Sequence, residues 1–148
     1  MDRITIKKEI DINAPKDKVW KVLLEDATFR VWGAEFSPGT FAISDWQVGS
    51  KVTFQDASNS GLVGKIVEHV PNEVITMQYY AELQDNREVY DTPDAEAIKG
   101  GIETYHVSEK DGVTHLTIAA DMSMRMAELM EDSWDRAILK IKELSENN

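Results

Sequence analysis

Apolar and polar residues alternate through the first dozen positions, where Ile4, Ile6, Ile10 and Ile12 are separated by charged or hydroxyl side chains, with one interruption at 7–9. A period of two predicts a half-buried strand, because successive side chains of a strand point to opposite faces. The pattern then changes. Asn13 can end the strand, and Pro15 suits a first helical turn, where its missing N–H leaves no donor unpaired, so a helix is predicted over about 15–25. Asp26 is placed to cap a second short helix, DATFRVWGAEF, in which Phe29, Trp32 and Phe36 fall at helical spacing.

From Thr40 onward come short strand-like segments: TFAISDW, SKVTFQD, GLVGKIVEHV, EVITMQYYAEL, GGIETYHVSE and VTHLTIAADM. Turn signals at QVGS, ASNSG, VPNE and KDGV separate them, which predicts an antiparallel meander, since parallel pairing requires long crossovers. The stretch LQDNREVYDTPDAEAIKG, 83–100, is too long for a plain hairpin. Thr92 as cap, Pro93 at the first helical position and Gly100 as stop predict a short helix over about 93–99, and this acidic excursion reads either as a lid or as a solvated loop. The last segment, about 123–145, is the longest helix: Ala127, Met130, Trp134, Ala137, Ile138, Ile141 and Leu144 recur at steps of three and four, with charged residues largely between them.

A strand, two short helices, a run of antiparallel strands and one long closing helix make an α+β layout in one domain spanning 1–148, with no boundary or repeat inside it. The order of elements resembles the START-like (SRPBCC, birch-pollen-allergen-like) helix-grip superfamily and, within it, the heat-shock protein 90 ATPase activator-like domains. The resemblance rests on INAPKDKVWKVLLEDATFRVWG, DWQVGSKVTFQD and GKIVEHVPNEVITMQY, and covers almost the whole chain. It implies a curved sheet of about six to seven strands wrapped on the C-terminal helix, with a cavity between them. Members of the superfamily bind apolar small molecules, act on them, or work by protein contact. The eukaryotic chaperone activator carries a further N-terminal domain for which this chain has no room, so its cochaperone role does not carry over.

Composition narrows the field. Twenty-seven acidic residues stand against 16 basic ones, a net charge of −11 that repels phosphate backbones and anionic lipid alike, so no nucleic-acid partner is expected. The chain has no cysteine, which excludes disulfides, thiol nucleophiles and thiolate metal sites. No apolar run approaches the ~18 residues of a membrane span, and the N-terminus lacks the layout of a secretory signal, so a cytoplasmic protein without membrane insertion is expected.

Parity places Ile75, Met77 and Tyr79 on one face, with Leu116, Ile118, Ala120 and Met122 on another inward set. In GIETYHVSE the larger aromatic parity is Glu103, Tyr105 and Val107, against Ile102, Thr104 and His106; if the first set faces inward, Glu103 is directed toward the long helix. A carboxylate there must be hydrogen-bonded, paired or reached by water. Glu103 is then a polar anchor in an apolar pocket, a group satisfied by a nearby Lys, Arg or tyrosine hydroxyl, or one that simply faces solvent. Four of the six methionines lie between Met122 and Met130. Met126, Met130 and Trp134 share one side of the helix, and this stripe either fills the core or borders a cavity mouth with Trp32, Phe36 and Phe54.

The candidate ligand-binding set is thus Trp32, Phe36, Phe54, Met77, Tyr79, Glu103, Tyr105, Met122, Met126, Met130 and Trp134. His69, His106 and His115 show no metal-ligand spacing, and no nucleophile or phosphate-loop motif is present, so neither a metal nor a cofactor is expected. The leading reading is binding of a lipid, isoprenoid or aromatic compound. The alternative is a protein-interaction or stress-related cochaperone module. Third comes a hydrolase, cyclase or dehydratase on an apolar carbonyl compound, with Tyr79, Tyr105 and Glu103 as acid and base groups.

Overall fold

A computed structural model describes residues 3–147. The elements are β1 (Arg3–Ile12), α1 (Lys16–Leu24), α2 (Asp26–Gly33), β2 (Phe41–Ile43), β3 (Lys51–Gln55), β4 (Gly61–Val70), β5 (Val74–Gln84), β6 (Arg87–Val89), α3 (Pro93–Ile98), β7 (Ile102–Lys110), β8 (Val113–Ser123) and α4 (Met124–Glu146). All pairings are antiparallel, in the order β1-β8-β7-β5-β4-β3-β2, with β6 added to β5. Consecutive strands β1 and β2 therefore form opposite ends of the sheet, and α1 with α2 carries the chain across. The curled sheet grips α4, a helix-grip fold.

The expected inward residues lie where parity puts them: Ile75, Met77, Tyr79, Leu116, Ile118, Ala120 and Met122 are all buried, as are Glu103, Tyr105 and Val107 on β7. Helix α4 meets this surface with Trp134, Ala137, Ile138 and Ile141. Lys8 of β1 bridges Glu131 (2.7 Å) and Asp135 (2.8 Å) on α4, and Arg136 reaches Glu35 (3.2 Å) beyond α2, so polar contacts pin both flanks of the helix. Ser123 caps α4, accepting from the Met126 N–H at 3.1 Å, and Thr92 caps α3, accepting from the Ala95 N–H at 3.0 Å.

Several elements depart from the sequence-based expectation. Asp26 does not cap α2; its carboxylate binds Arg30 one turn on, and Glu25 holds the cap position without a side-chain bond. That helix ends at Gly33, so Phe36 sits in the following turn, its N–H bonded to the Gly33 carbonyl at 3.0 Å. Strand β2 stops at Ile43, and Trp46 adopts a left-handed backbone (φ 61°) whose carbonyl meets His69 Nδ1 at 2.8 Å. The excursion 83–100 holds an eighth strand: Asp85 and Asn86 both have positive φ (50° and 62°), the geometry of a two-residue hairpin, and fold β6 back on β5. Among the described residues no helix is long and apolar enough to cross a membrane.

Two register shifts on the β4–β5 pair, at Val63/Gly64 and Ile66/Glu68, accompany the curl of the sheet. Such bulges bend a strand and raise its twist. Next to them, Gly61 opens β4 where a Cβ would lie 1.7 Å from the Phe54 carbonyl oxygen. Gly61→Ala therefore forces backbone apart and is expected to cost about 2 kcal/mol or more, read as a lower urea midpoint. An unchanged midpoint would show that the β3–β4 approach is looser than described.

Candidate functional site

Where α4 rises from β8, Met126, Met130 and Trp134 of the helix border a cavity of about 470 Å³ on the sheet side. One strand ladder sets its polar centre. On β5 and β7, Met77 pairs with Glu103 and Ile75 with Tyr105, and Tyr79 follows two residues after Met77 on the same face. Glu103 thus lies between two phenols. The Tyr79 hydroxyl donates to Glu103 Oε1 at 2.8 Å, and the Tyr105 hydroxyl donates to Oε2. The Glu103 residue is only 8% exposed.

Aromatic rings build the walls, and they form an unbroken series of contacts. Tyr79 meets Phe54 (centroids 6.2 Å apart), Phe54 stacks on Phe29 (5.7 Å), and Phe29 meets the edge of Trp32 (4.6 Å). Trp32 then contacts Tyr105 (6.2 Å), Tyr105 contacts Trp134 (6.5 Å), and Trp134 contacts Phe36 (4.7 Å). Trp32 is anchored by its indole N–H, which donates to the Val22 carbonyl at 3.0 Å, so the α1–α2 corner fixes its orientation. Met122, Met126 and Met130 supply the flexible side of the wall.

Ten of the eleven candidate residues therefore border one space: Trp32, Phe36, Phe54, Tyr79, Glu103, Tyr105, Met122, Met126, Met130 and Trp134. Met77 does not. Its parity is right, but it lies fully buried in the core and does not border the cavity. Sequence reasoning missed Phe29 and Ile98 in the wall. Phe29 was readable from its spacing to Trp32 on α2, whereas Ile98 reaches the wall only because α3 docks between β5 and β8. That docking is tied by Asp94, whose carboxylate accepts from the Ser123 hydroxyl at 3.1 Å and pairs with Arg125.

The electrostatics follow from enclosure. Burial raises the Glu103 carboxyl above the ordinary glutamate value, and the hydrogen bonds from Tyr105 and Tyr79, which favour its charged form, offset this only in part. Burial also raises both phenols well above their usual value, and the adjacent Glu103 charge adds to the effect. The tyrosines are accordingly hydrogen-bond donors at neutral pH. Among the described residues no group of His, Asp or Glu has a metal-binding arrangement.

The family model for the Activator of Hsp90 ATPase homolog 1-like protein matches residues 13–146. The chain belongs to this family. Among solved structures, this Activator of Hsp90 ATPase homolog 1-like chain is similar to protein MLL2253 from Mesorhizobium loti, with TM-score 0.75, 16% identity, and coverage of 95% of this chain and 96% of that one. It is similar also to the Aha1 dimer from Colwellia psychrerythraea, with TM-score 0.70, 19% identity, and coverage of 97% and 96%. A third is DynU16, from the dynemicin biosynthetic locus, with TM-score 0.67, 10% identity, and coverage of 94% of this chain but 46% of that one. At these identities the likeness establishes the fold and nothing finer. No curated protein matches the chain in sequence.

A carboxyl whose pKa rises on folding weakens the native state as pH climbs past the unfolded value of about 4.3, and the full penalty is present above the folded value. Glu103→Gln removes that charge and keeps an acceptor for a phenol. The variant is expected to gain stability relative to the parent as pH rises from about 4 to about 8, measured by denaturant unfolding. A variant less stable than the parent at the upper pH would show that the phenolic hydrogen bonds outweigh burial.

Proposed function

We propose that this protein binds an apolar or amphipathic small molecule, a lipid, isoprenoid or aromatic compound, between its sheet and α4. In this reading the chain acts as one cytoplasmic START-like domain. The observation that carries it is the cavity itself. About 470 Å³ is left open beneath a long helix whose other half packs closely. Its size lies within the roughly 300–1,000 Å³ of small-molecule pockets, and its make-up is theirs also: mostly apolar walls with a few placed polar groups. A protein that only needed a core would gain stability by filling this space, because each void forfeits dispersion contacts.

In the proposed binding mode, Trp32, Phe36, Phe54 and Trp134 grip the apolar body. Met122, Met126 and Met130 adjust to its outline. Glu103, with Tyr79 and Tyr105, orients its polar end. The protein-interaction alternative draws on the acidic surface and the 83–100 excursion as contact, and leaves the cavity without a use.

The test is native mass spectrometry of protein purified gently from its host, joined to thermal-shift screening of fatty acids, isoprenoids and aromatic polyketide-like compounds. A co-purifying small molecule, or a stabilisation that grows with ligand concentration, is expected. Met130→Trp should narrow the space, hold stability within about 1 kcal/mol of the parent, and weaken the shift. No bound species and no shift across the screen, with a stoichiometric protein partner lost on deletion of 83–100, would overturn the proposal in favour of the interaction module.

A further inference from the structure

The charged groups around the cavity are all of one sign. Asp56, Glu82, Asp94, Glu103 and Asp121 border it, and among the described residues no lysine, arginine or histidine does. Four of these carboxylates already have local partners. Asp56 accepts from the Ser37 and Ser58 hydroxyls, Glu82 from the Thr92 hydroxyl, and Asp94 from Ser123 and Arg125. Asp121 accepts from the Thr5 hydroxyl and from the Ile102 N–H. Glu103 differs in being the buried one of the five, with two neutral phenols as its partners, one on each oxygen, and among the described residues no ion pair to it.

Trp32, Phe36, Tyr105 and Trp134 line the same cavity as that carboxylate, with Trp32 and Trp134 each against the Tyr105 ring and Phe36 against Trp134. Ring faces attract cations through their quadrupole, most strongly where water is excluded. A buried carboxylate without a counter-charge is costly, and a cation arriving with the ligand would supply the missing partner. An anionic head group would meet the reverse: five carboxylates, no donor cation, and a chain of net charge −11 that repels it at a distance.

We infer that the cavity takes an organic cation, an apolar or aromatic molecule carrying an ammonium group that seats between Glu103 and the surrounding rings. This rests on the binding reading above and gives it a ligand class. In the bound state the ammonium faces Glu103 from the open side, opposite Tyr79 and Tyr105, and the apolar body extends along Met126 and Met130. Fatty acids of the same length are discriminated against by like charge, and alcohols lack the charge that Glu103 is left without.

The experiment compares decyltrimethylammonium, decanol and decanoate, each below its micellar concentration, by calorimetry on the full chain. Quenching of Trp32 and Trp134 fluorescence serves as a second readout. The ammonium is expected to bind at least about tenfold more tightly than the alcohol, with decanoate weakest. Glu103→Gln should bring the ammonium down to the level of the alcohol. Equal or tighter binding of decanol or decanoate to the parent protein would overturn the inference while leaving a small-molecule pocket in place. A preference for the ammonium that survives Glu103→Gln would overturn the role of Glu103 in it. Failure of all three probes to bind would overturn the inference and leave the binding reading to the ligand screen above. The comparison on the parent protein stands even if the variant does not fold.

Discussion

A carboxylate enclosed among aromatic rings must be compensated from inside the protein, and at Glu103 that compensation is incomplete. Two phenolic hydroxyls reach it, one from the neighbouring strand and one from two residues along its own strand, while burial holds its carboxyl above the ordinary range. The arrangement depends on register. The pairing of Met77 with Glu103 sets Tyr79 beside the carboxylate, and a slip of β7 by one residue would turn Glu103 and Tyr105 to the outer face, away from Tyr79. The β5–β7 ladder is therefore both part of the core and the floor of the cavity.

The space above that floor comes from how a straight helix meets a curled sheet. The later turns of α4 bury Trp134, Ala137, Ile138 and Ile141 against the core, and the salt bridges from Lys8 hold its middle to β1. Its first turns meet the core through Ala127, which is buried, and through Met126 and Met130, which are half-buried. At this end β5 runs past β7, pairing with β6 instead, and α3 occupies the gap beside β8. The tie from Asp94 to Ser123 and Arg125 then joins α3 to the start of α4, so the cavity rim is built from the same excursion that lengthens the chain between β5 and β7. Family membership accounts for the scaffold.

Much of this was legible before any coordinates. Alternation on the strands identified which residues face inward, including the unexpected direction of Glu103, because a period of two admits only two faces. The four-residue spacing of Met126, Met130 and Trp134 likewise identified one side of α4. Other features depend on distances that periodicity does not encode. Met77 shares parity with Tyr79 and yet does not border the cavity, since parity fixes a strand face and not what packs over each position on it. Ile98 reaches the wall through docking of a six-residue helix, and the second partner of Glu103 comes from across the sheet. The β5–β6 hairpin did carry a signal, Asp85-Asn86, two residue types that tolerate positive φ.

The central claim is that Glu103 is an acid buried without a counter-charge. It is tested most directly by following the Glu103 side-chain carboxyl carbon resonance by NMR across pH in the ligand-free protein. A midpoint above the ordinary glutamate value of about 4.3 is the result the account predicts. A midpoint at or below that value would mean that the carboxylate is already compensated by its two phenols or by water, and would contradict it.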